Sequence, residues 1–265
     1  MMKLDELLRR LWDDFVILNP HALRVHELVL ARGERIHNDH IAFRTFDDPR
    51  LGIDVLARAF VEAGYEAKDE YDFAAKKLLA RHYEHAESAL PKVFVSELKV
   101  GEFGAAFGQR VAALVDQIPA GTTGRDDFPV TGRPWDVSYD DYEALRVESE
   151  YGAWLAAFGF RANHFTIDVG QLSTFDGLAA FNGFLNDNGM MLNGDGGEIK
   201  GSAEDFLEQS STLAEPIEVE FTDGAHAIPG CYYEFAQRYT LPDGSLFTGF
   251  VARSADRIFQ STDQR

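Results

Sequence analysis

A single cysteine, Cys231, stands in a chain of 265 residues, which excludes an internal disulfide. Basic charge is scarce too: 25 Lys and Arg face 44 Asp and Glu, a net of −19. A surface of that sign repels phosphate backbones and anionic lipid, so neither nucleic acid nor a membrane surface is an expected partner. No apolar run approaches the roughly 20 residues needed to span a bilayer. The opening MMKLDELLRR has neither the apolar stretch nor the small-residue cleavage site of a signal peptide. The expectation is a cytoplasmic protein. Apolar residues are plentiful: 45% hydrophobic and 12% aromatic composition can bury a large core, which rules out disorder and fibrous architectures.

Apolar positions Leu4, Leu7, Leu8, Leu11, Phe15 and Leu18 recur at helical spacing and predict an amphipathic helix. Asn19 before Pro20 reads as an N-cap and first turn, opening a second helix to about Ala31. The run from Asn38 to Phe46 is β-rich and closed by Asp47-Asp48-Pro49. A helix from about Ile53 to Ala63 ends at Gly64, and β runs follow at Lys76 to Tyr83 and Val93 to Leu98. Two helical stretches then flank a Gly/Pro-rich loop from Ile118 to Pro134, which reads as an inserted connector. After it, Asn163 to Val169 is again a β run, a helix spans about Thr174 to Asn186, and a turn-rich stretch runs from Asn188 to Gly201. Further strands are expected at Ile217 to Phe221, Cys231 to Tyr239 and Leu246 to Val251, with Pro242-Asp243-Gly244 turning between the last two. The two halves, each opened by Asn-(Asp)-His and apolar residues, suggest a degenerate internal duplication. The chain then divides into a helical N-terminus (1–37), a first module (38–100), a helical insert (101–160) and a second module (161–265), all one domain.

Most of the eight histidines read as ordinary: His21, His26 and His37 as solvated or hydrogen-bonded side chains. His40 and His164 differ, because each begins a β run at the corresponding place of its half. Strand alternation puts His40, Ala42, Arg44 and Phe46 on one face and His164, Thr166 and Asp168 on one face. Glu234, embedded among aromatic residues, needs a cation or a metal as partner, and Arg238 is the ordinary candidate. Two imidazoles and a carboxylate are also the ligand set of a non-haem Fe(II) site with open positions. Arg44 lies about 13 Å from His40 along the strand on the same face. Its planar fork suits a carboxylate, and the alternative is an ion pair with Asp47 or Asp48.

The runs DHIAFRTF (39–46), VFVSEL (93–98), NHFTI (163–167), YYEFAQRY (232–239) and GFVARSADRIFQST (249–262) resemble the 2-oxoadipate dioxygenase/decarboxylase, or 2-hydroxyglutarate synthase, family over nearly the whole chain. The resemblance implies an α+β, vicinal-oxygen-chelate-like fold, with paired βαβββ modules forming a cupped mixed sheet around a metal. It implies His40, His164 and Glu234 as metal ligands and Arg44 as the substrate-binding, catalytic arginine, with Ser254 near the substrate carboxylate. Fe(II) is the implied cofactor, 2-oxoadipate and O₂ the implied small molecules, 2-hydroxyglutarate and CO₂ the products, and lysine catabolism the setting. The chain is shorter than the best characterised bacterial members of the family, which bears on substrate identity more than on the metal.

Other features read more plainly. Ser254 also suits a helix cap. Glu97 is placed to partner a ligand, or to be a fourth one by symmetry with Glu234. His82 and His85 fit a solvated surface. Cys231 reads as a small buried side chain, with no nucleophile elbow around it. The run Asn193 to Gly197 lacks the Lys and Ser/Thr of a phosphate loop and reads as a turn. Two rival readings remain: a glyoxalase-like isomerase or hydrolase using its metal as a Lewis acid, and a non-catalytic small-molecule binding protein.

Overall fold

The computed structural model describes residues 2–251; Ser254 and the rest of the GFVARSADRIFQST run after Val251 lie outside them. Two helices, α1 (Leu4–Leu18) and α2 (Pro20–Ala31), lead into β1 (Asn38–Phe46), α3 (Ile53–Glu62), β2 (Tyr65–Phe73), β3 (Leu78–His85) and β4 (Lys92–Leu98). Three helices follow: α4 (Ala105–Val115), α5 (Tyr139–Glu148) and α6 (Glu150–Phe158). The second half runs β5 (Ala162–Asp168), α7 (Gly177–Asp187), β6 (Lys200–Ser202), β7 (Leu207–Ser211), the hairpin β8 (Pro216–Phe221) and β9 (Gly224–Pro229), and β10 (Glu234–Arg238).

Eight strands form one mixed sheet in the order β2-β3-β4-β1-β5-β10-β7-β6, and β8-β9 pair separately. The halves meet at its centre, where β1 and β5 pair antiparallel. Each central strand has a parallel outer neighbour, β4 beside β1 and β10 beside β5. Beyond these, β3 with β2 and β7 with β6 repeat the antiparallel order.

Side-chain alternation divides the sheet into an apolar and a polar face. On one face Phe43 meets Phe60 of α3 at 5.4 Å between ring centroids, Phe165 meets Phe15 of α1 at 5.0 Å, and Phe235 meets Phe181 of α7 at 5.0 Å. The residues between them, including Arg44, His164 and Glu234, turn the other way. Burial of that aromatic layer fixes the strands' register, because a one-residue slip would carry every phenylalanine to the polar face.

Helix α3 stops at Gly64, whose φ of +103° suits a residue without Cβ. At α2, Pro20 occupies the first turn as expected, but Asn19 is fully buried and makes no side-chain cap bond. Four strands escaped the periodicity reading, the three-residue β6 among them. Strand β2 (YEAKDEYDF) is charged and exposed along most of its length, as an edge strand tolerates. Strand β7 is short and polar, and β9 begins on a glycine. The Leu246 to Val251 run forms no strand; it makes one bridge, Thr240 to Leu246, around the expected turn. The insert carries three helices rather than two, and α6 is more than a connector: every residue of it after Glu150 is buried.

Candidate metal centre and anion pocket

His40, His164 and Glu234 converge on the polar face at the seam between the halves. His40 Nε2 lies 3.4 Å from His164 Nε2 and 3.5 Å from Glu234 Oε1, and His164 Nε2 lies 3.4 Å from Glu234 Oε2. One ligand atom from each falls within 4.8 Å of the others, and all three residues are buried. Donors adjacent around an ion with bonds of about 2.0 to 2.2 Å stand roughly 3 to 3.5 Å apart, so the three fit a divalent metal.

The residue before each histidine sets its tautomer. Asp39 Oδ2 lies 2.8 Å from His40 Nδ1, and Asn163 Oδ1 lies 3.0 Å from His164 Nδ1. A carboxylate can only accept, so His40 Nδ1 carries the proton and Nε2 presents its lone pair inward; Asn163 does the same for His164. Burial lowers both imidazoles, His164 well below the usual range, so they remain neutral donors.

The two buried carboxylates are held differently, Asp39 by cations and Glu234 by an amide. Burial alone would raise Asp39, but Arg238, His40 and Lys92 outweigh it and keep its carboxyl well below the ordinary range. Arg238 binds Asp39 through both Nε and Nη2, at 2.5 and 2.9 Å, and its Nη1 donates to the carbonyls of Phe247 and Gly249. The expected pairing of Arg238 with Glu234 therefore does not occur. Glu234 instead accepts from Gln209 Nε2 at 2.6 Å. Burial pushes its carboxyl up to about 8, against that hydrogen bond. An acid held this way in a buried site is stabilised as a carboxylate by a cation.

A cavity opens beside the triad, lined by His40, Ala42, Arg44, Phe94, Tyr232 and Phe250, among others. Arg44 is buried, and its guanidinium packs between Tyr151 and Trp154 of α6, 4.9 Å from each ring centroid. Tyr151 is pinned by donating to the Ser96 carbonyl at 2.7 Å, and Trp154 Nε1 donates to the Gly230 carbonyl at 2.9 Å. These rings orient the fork rather than neutralise it. Among the described residues Asp47 and Asp48 are engaged elsewhere: Asp48 pairs with Arg50, and Asp47 accepts from the Val100 backbone. Arg44 also lines a second, more open cavity of about 360 Å³ with Lys76, Lys77 and Arg146 on its walls.

The remaining expected residues sort by face. Glu97 is turned away from the triad and accepts from Ile53 N at 2.9 Å, capping α3. His82 is buried rather than solvated: it bonds Tyr71 through Nδ1 and Glu84 through Nε2, against the Phe250 ring. His85 is partly exposed and accepts from Glu87 N. Cys231 is buried, burial pushes its thiol up to about 12, and it faces the Ala162 carbonyl, which suits packing and not attack. His21 and His26 are held by Thr212 and the Trp12 ring. Asn193 to Gly197 is a turn whose carbonyls accept from buried Lys200 Nζ. Gln209, Phe250 and the α6 aromatics escaped the sequence reading; no spacing signal marks them, because long-range packing brings them in.

Among the described residues no helix is long and apolar enough to cross a membrane. The fold is shared with a glyoxalase-superfamily protein of Ralstonia eutropha JMP134, 21% identical, with a TM-score of 0.78 over 92% of this chain and 84% of that one. A protein of Shewanella frigidimarina NCIMB 400 described as a hydrolase is 45% identical, with a TM-score of 0.92 over 95% and 99% of the two chains. The hydroxyglutarate synthase of Oryza sativa, solved in complex with 2-oxoadipate, is 32% identical, with a TM-score of 0.89 over 97% and 90%. The chloroplastic 2-oxoadipate dioxygenase/decarboxylase of Arabidopsis thaliana is 35% identical over 93% of this chain and 74% of that protein. The family model for 2-oxoadipate dioxygenase/decarboxylase matches residues 18–119 and 131–246, which include all three converging side chains and Arg44. By that match and these relatives, the chain belongs to the 2-oxoadipate dioxygenase/decarboxylase family.

Proposed function

We propose that this protein is an Fe(II)-dependent dioxygenase and decarboxylase that converts a 2-oxo dicarboxylic acid, 2-oxoadipate, with O₂ to 2-hydroxyglutarate and CO₂. The observation that carries this is a buried His-His-Glu set with both imidazole Nε2 atoms presented inward, opening onto a pocket that also holds a buried, stacked arginine. His40, His164 and Glu234 would hold Fe(II) there, and it would supply dioxygen activation and polarisation of the 2-oxo acid. Asp39 and Asn163 keep the two Nδ1 protons in place, so neither ring can turn its protonated edge inward. Arg44 holds the distal carboxylate of the substrate, and the Tyr151 and Trp154 faces keep its fork in one plane. Phe94 and Phe250 exclude water from the reacting end. Ser254 is assigned a supporting contact to the same carboxylate.

The whole chain acts as one domain in this reading, with lysine catabolism as its setting. The cytoplasmic location is retained although the plant relatives are chloroplastic by name, and fractionation of the native host checks it.

The Shewanella relative's description as a hydrolase favours a second reading, in which the metal acts as a Lewis acid without O₂. Gas measurements separate the two. Iron-loaded protein with 2-oxoadipate should consume O₂ and release CO₂ in equal amounts with no added cosubstrate; undiminished product under argon would favour the hydrolytic or isomerising reading. Arg44→Lys keeps the charge and loses the fork. kcat/KM for a dicarboxylic 2-oxo acid should then fall about 10- to 100-fold with iron retained. Loss of the metal, or an equal fall for a monocarboxylic 2-oxo acid, would show that Arg44 does not hold the distal carboxylate.

A further inference from the structure

Strand alternation around Glu234 separates two buried tyrosines. Tyr233 turns to the apolar side, against Phe15 and Phe235, and burial alone raises its phenol. Tyr232 turns to the pocket. Its ring lies against His164 at 4.6 Å with the planes 27° apart, and it lines the same cavity as Arg44, Glu234 and Phe250. The residue is fully buried; the Arg44 guanidinium beside its hydroxyl can only donate, and no acceptor for the phenolic hydrogen is found among the described residues. A buried O–H without an acceptor is costly, and here it lies in the cavity that the proposed reaction uses.

The geometry around that hydroxyl identifies its ligand. Tyr232, Arg44 and Glu234 line one cavity, and a phenol there is a neutral O–H donor beside a guanidinium. A carboxylate that meets the Arg44 fork has lone pairs left over, and a neutral O–H donor satisfies one without adding charge.

We propose that Tyr232 is a substrate-binding residue, donating its O–H to the same distal carboxylate that Arg44 holds. This deepens the functional reading above and rests on it. Arg44 supplies charge and Tyr232 direction, so the pair selects dicarboxylic over monocarboxylic 2-oxo acids more sharply than the arginine alone.

The test compares Tyr232→Phe, Tyr233→Phe and the unaltered protein, all iron-loaded under argon, by calorimetric titration with 2-oxoadipate and with 2-oxobutanoate. Tyr232→Phe should weaken 2-oxoadipate binding about 10- to 100-fold, leave 2-oxobutanoate binding and iron content unchanged, and leave thermal stability unchanged or raised. Tyr233→Phe should change neither affinity. Unaltered protein that fails to bind 2-oxoadipate would sink the functional reading. Normal binding by the unaltered protein together with an unchanged Tyr232→Phe affinity, an equal loss for both acids, or a lowered melting temperature would overturn the Tyr232 assignment alone.

Discussion

Strands β1 and β5 lie side by side at the centre of the sheet, and each presents one histidine after a residue that binds its Nδ1. The next strand outward breaks the likeness. In the second half Glu234 of β10 stands in register with Thr166, two residues beyond His164. In the first half the residue two beyond His40 is Ala42, and its partner on β4 is Phe94. The place that symmetry offers for a fourth ligand is therefore filled by an aromatic ring, packed 4.8 Å from Phe250. A duplicated scaffold that could offer donors from both halves instead offers three and sets an apolar ring at the fourth place. In the proposed reaction, that leaves the side facing Phe94 without a fourth protein ligand to compete with a substrate.

The comparison breaks most severely in the half that carries two of the three converging side chains. Glu234→Gln keeps the shape and loses the anionic donor; iron content and turnover should both fall by more than the roughly 10- to 100-fold typical of losing an outer partner. Retained iron and turnover would mean the triad is not the metal centre. Phe94→Glu makes the first half imitate the second. Iron should be held as firmly as before while O₂ consumption with 2-oxoadipate falls on the order of 100-fold, because the added carboxylate occupies a position that a reactant needs. Faster turnover would show that the asymmetry has no catalytic meaning.

A further difference lies behind the histidines: His40 is backed by charged Asp39 and His164 by neutral Asn163. Asp39→Asn would equalise them, but it also leaves Arg238 buried without its anion, a change that costs about 3 to 5 kcal/mol in such pairs. Thermal unfolding should show that loss, and iron affinity should fall about 10-fold. An unchanged melting temperature would indicate that Arg238 finds its stabilisation in the Phe247 and Gly249 carbonyls instead. The smallest effect belongs to Cys231, which only packs. Cys231→Ala should leave turnover unaltered and cost about 1 kcal/mol in denaturant unfolding, whereas loss of turnover would restore the thiol as a nucleophile.

What the sequence made legible follows from period and local chemistry. The helix at Leu4 to Leu18 and the strand at Asn38 to Phe46 are written in consecutive side chains, and both emerge with those bounds. His40, His164 and Glu234 stood out because polar groups in apolar β runs need a reason to be buried. Edge strand β2 was hidden because it lacks alternation, and β7 because its buried residues after Leu207 are Gln and Ser, with Gln209 facing Glu234 and Ser210 facing Asn182. Glu97 misled because spacing along the chain measures strand length, whereas ligand position is set by cross-strand register. The stacking of Arg44 by α6 could not be read at all, since it joins residues from separate parts of the chain.

The most direct measurement is anomalous diffraction at the iron edge from crystals of the iron-loaded protein. The account predicts one strong peak per chain, about 2.0 to 2.2 Å from His40 Nε2, His164 Nε2 and a Glu234 carboxylate oxygen. A peak elsewhere, or none at the triad in protein shown to contain stoichiometric iron, would contradict it.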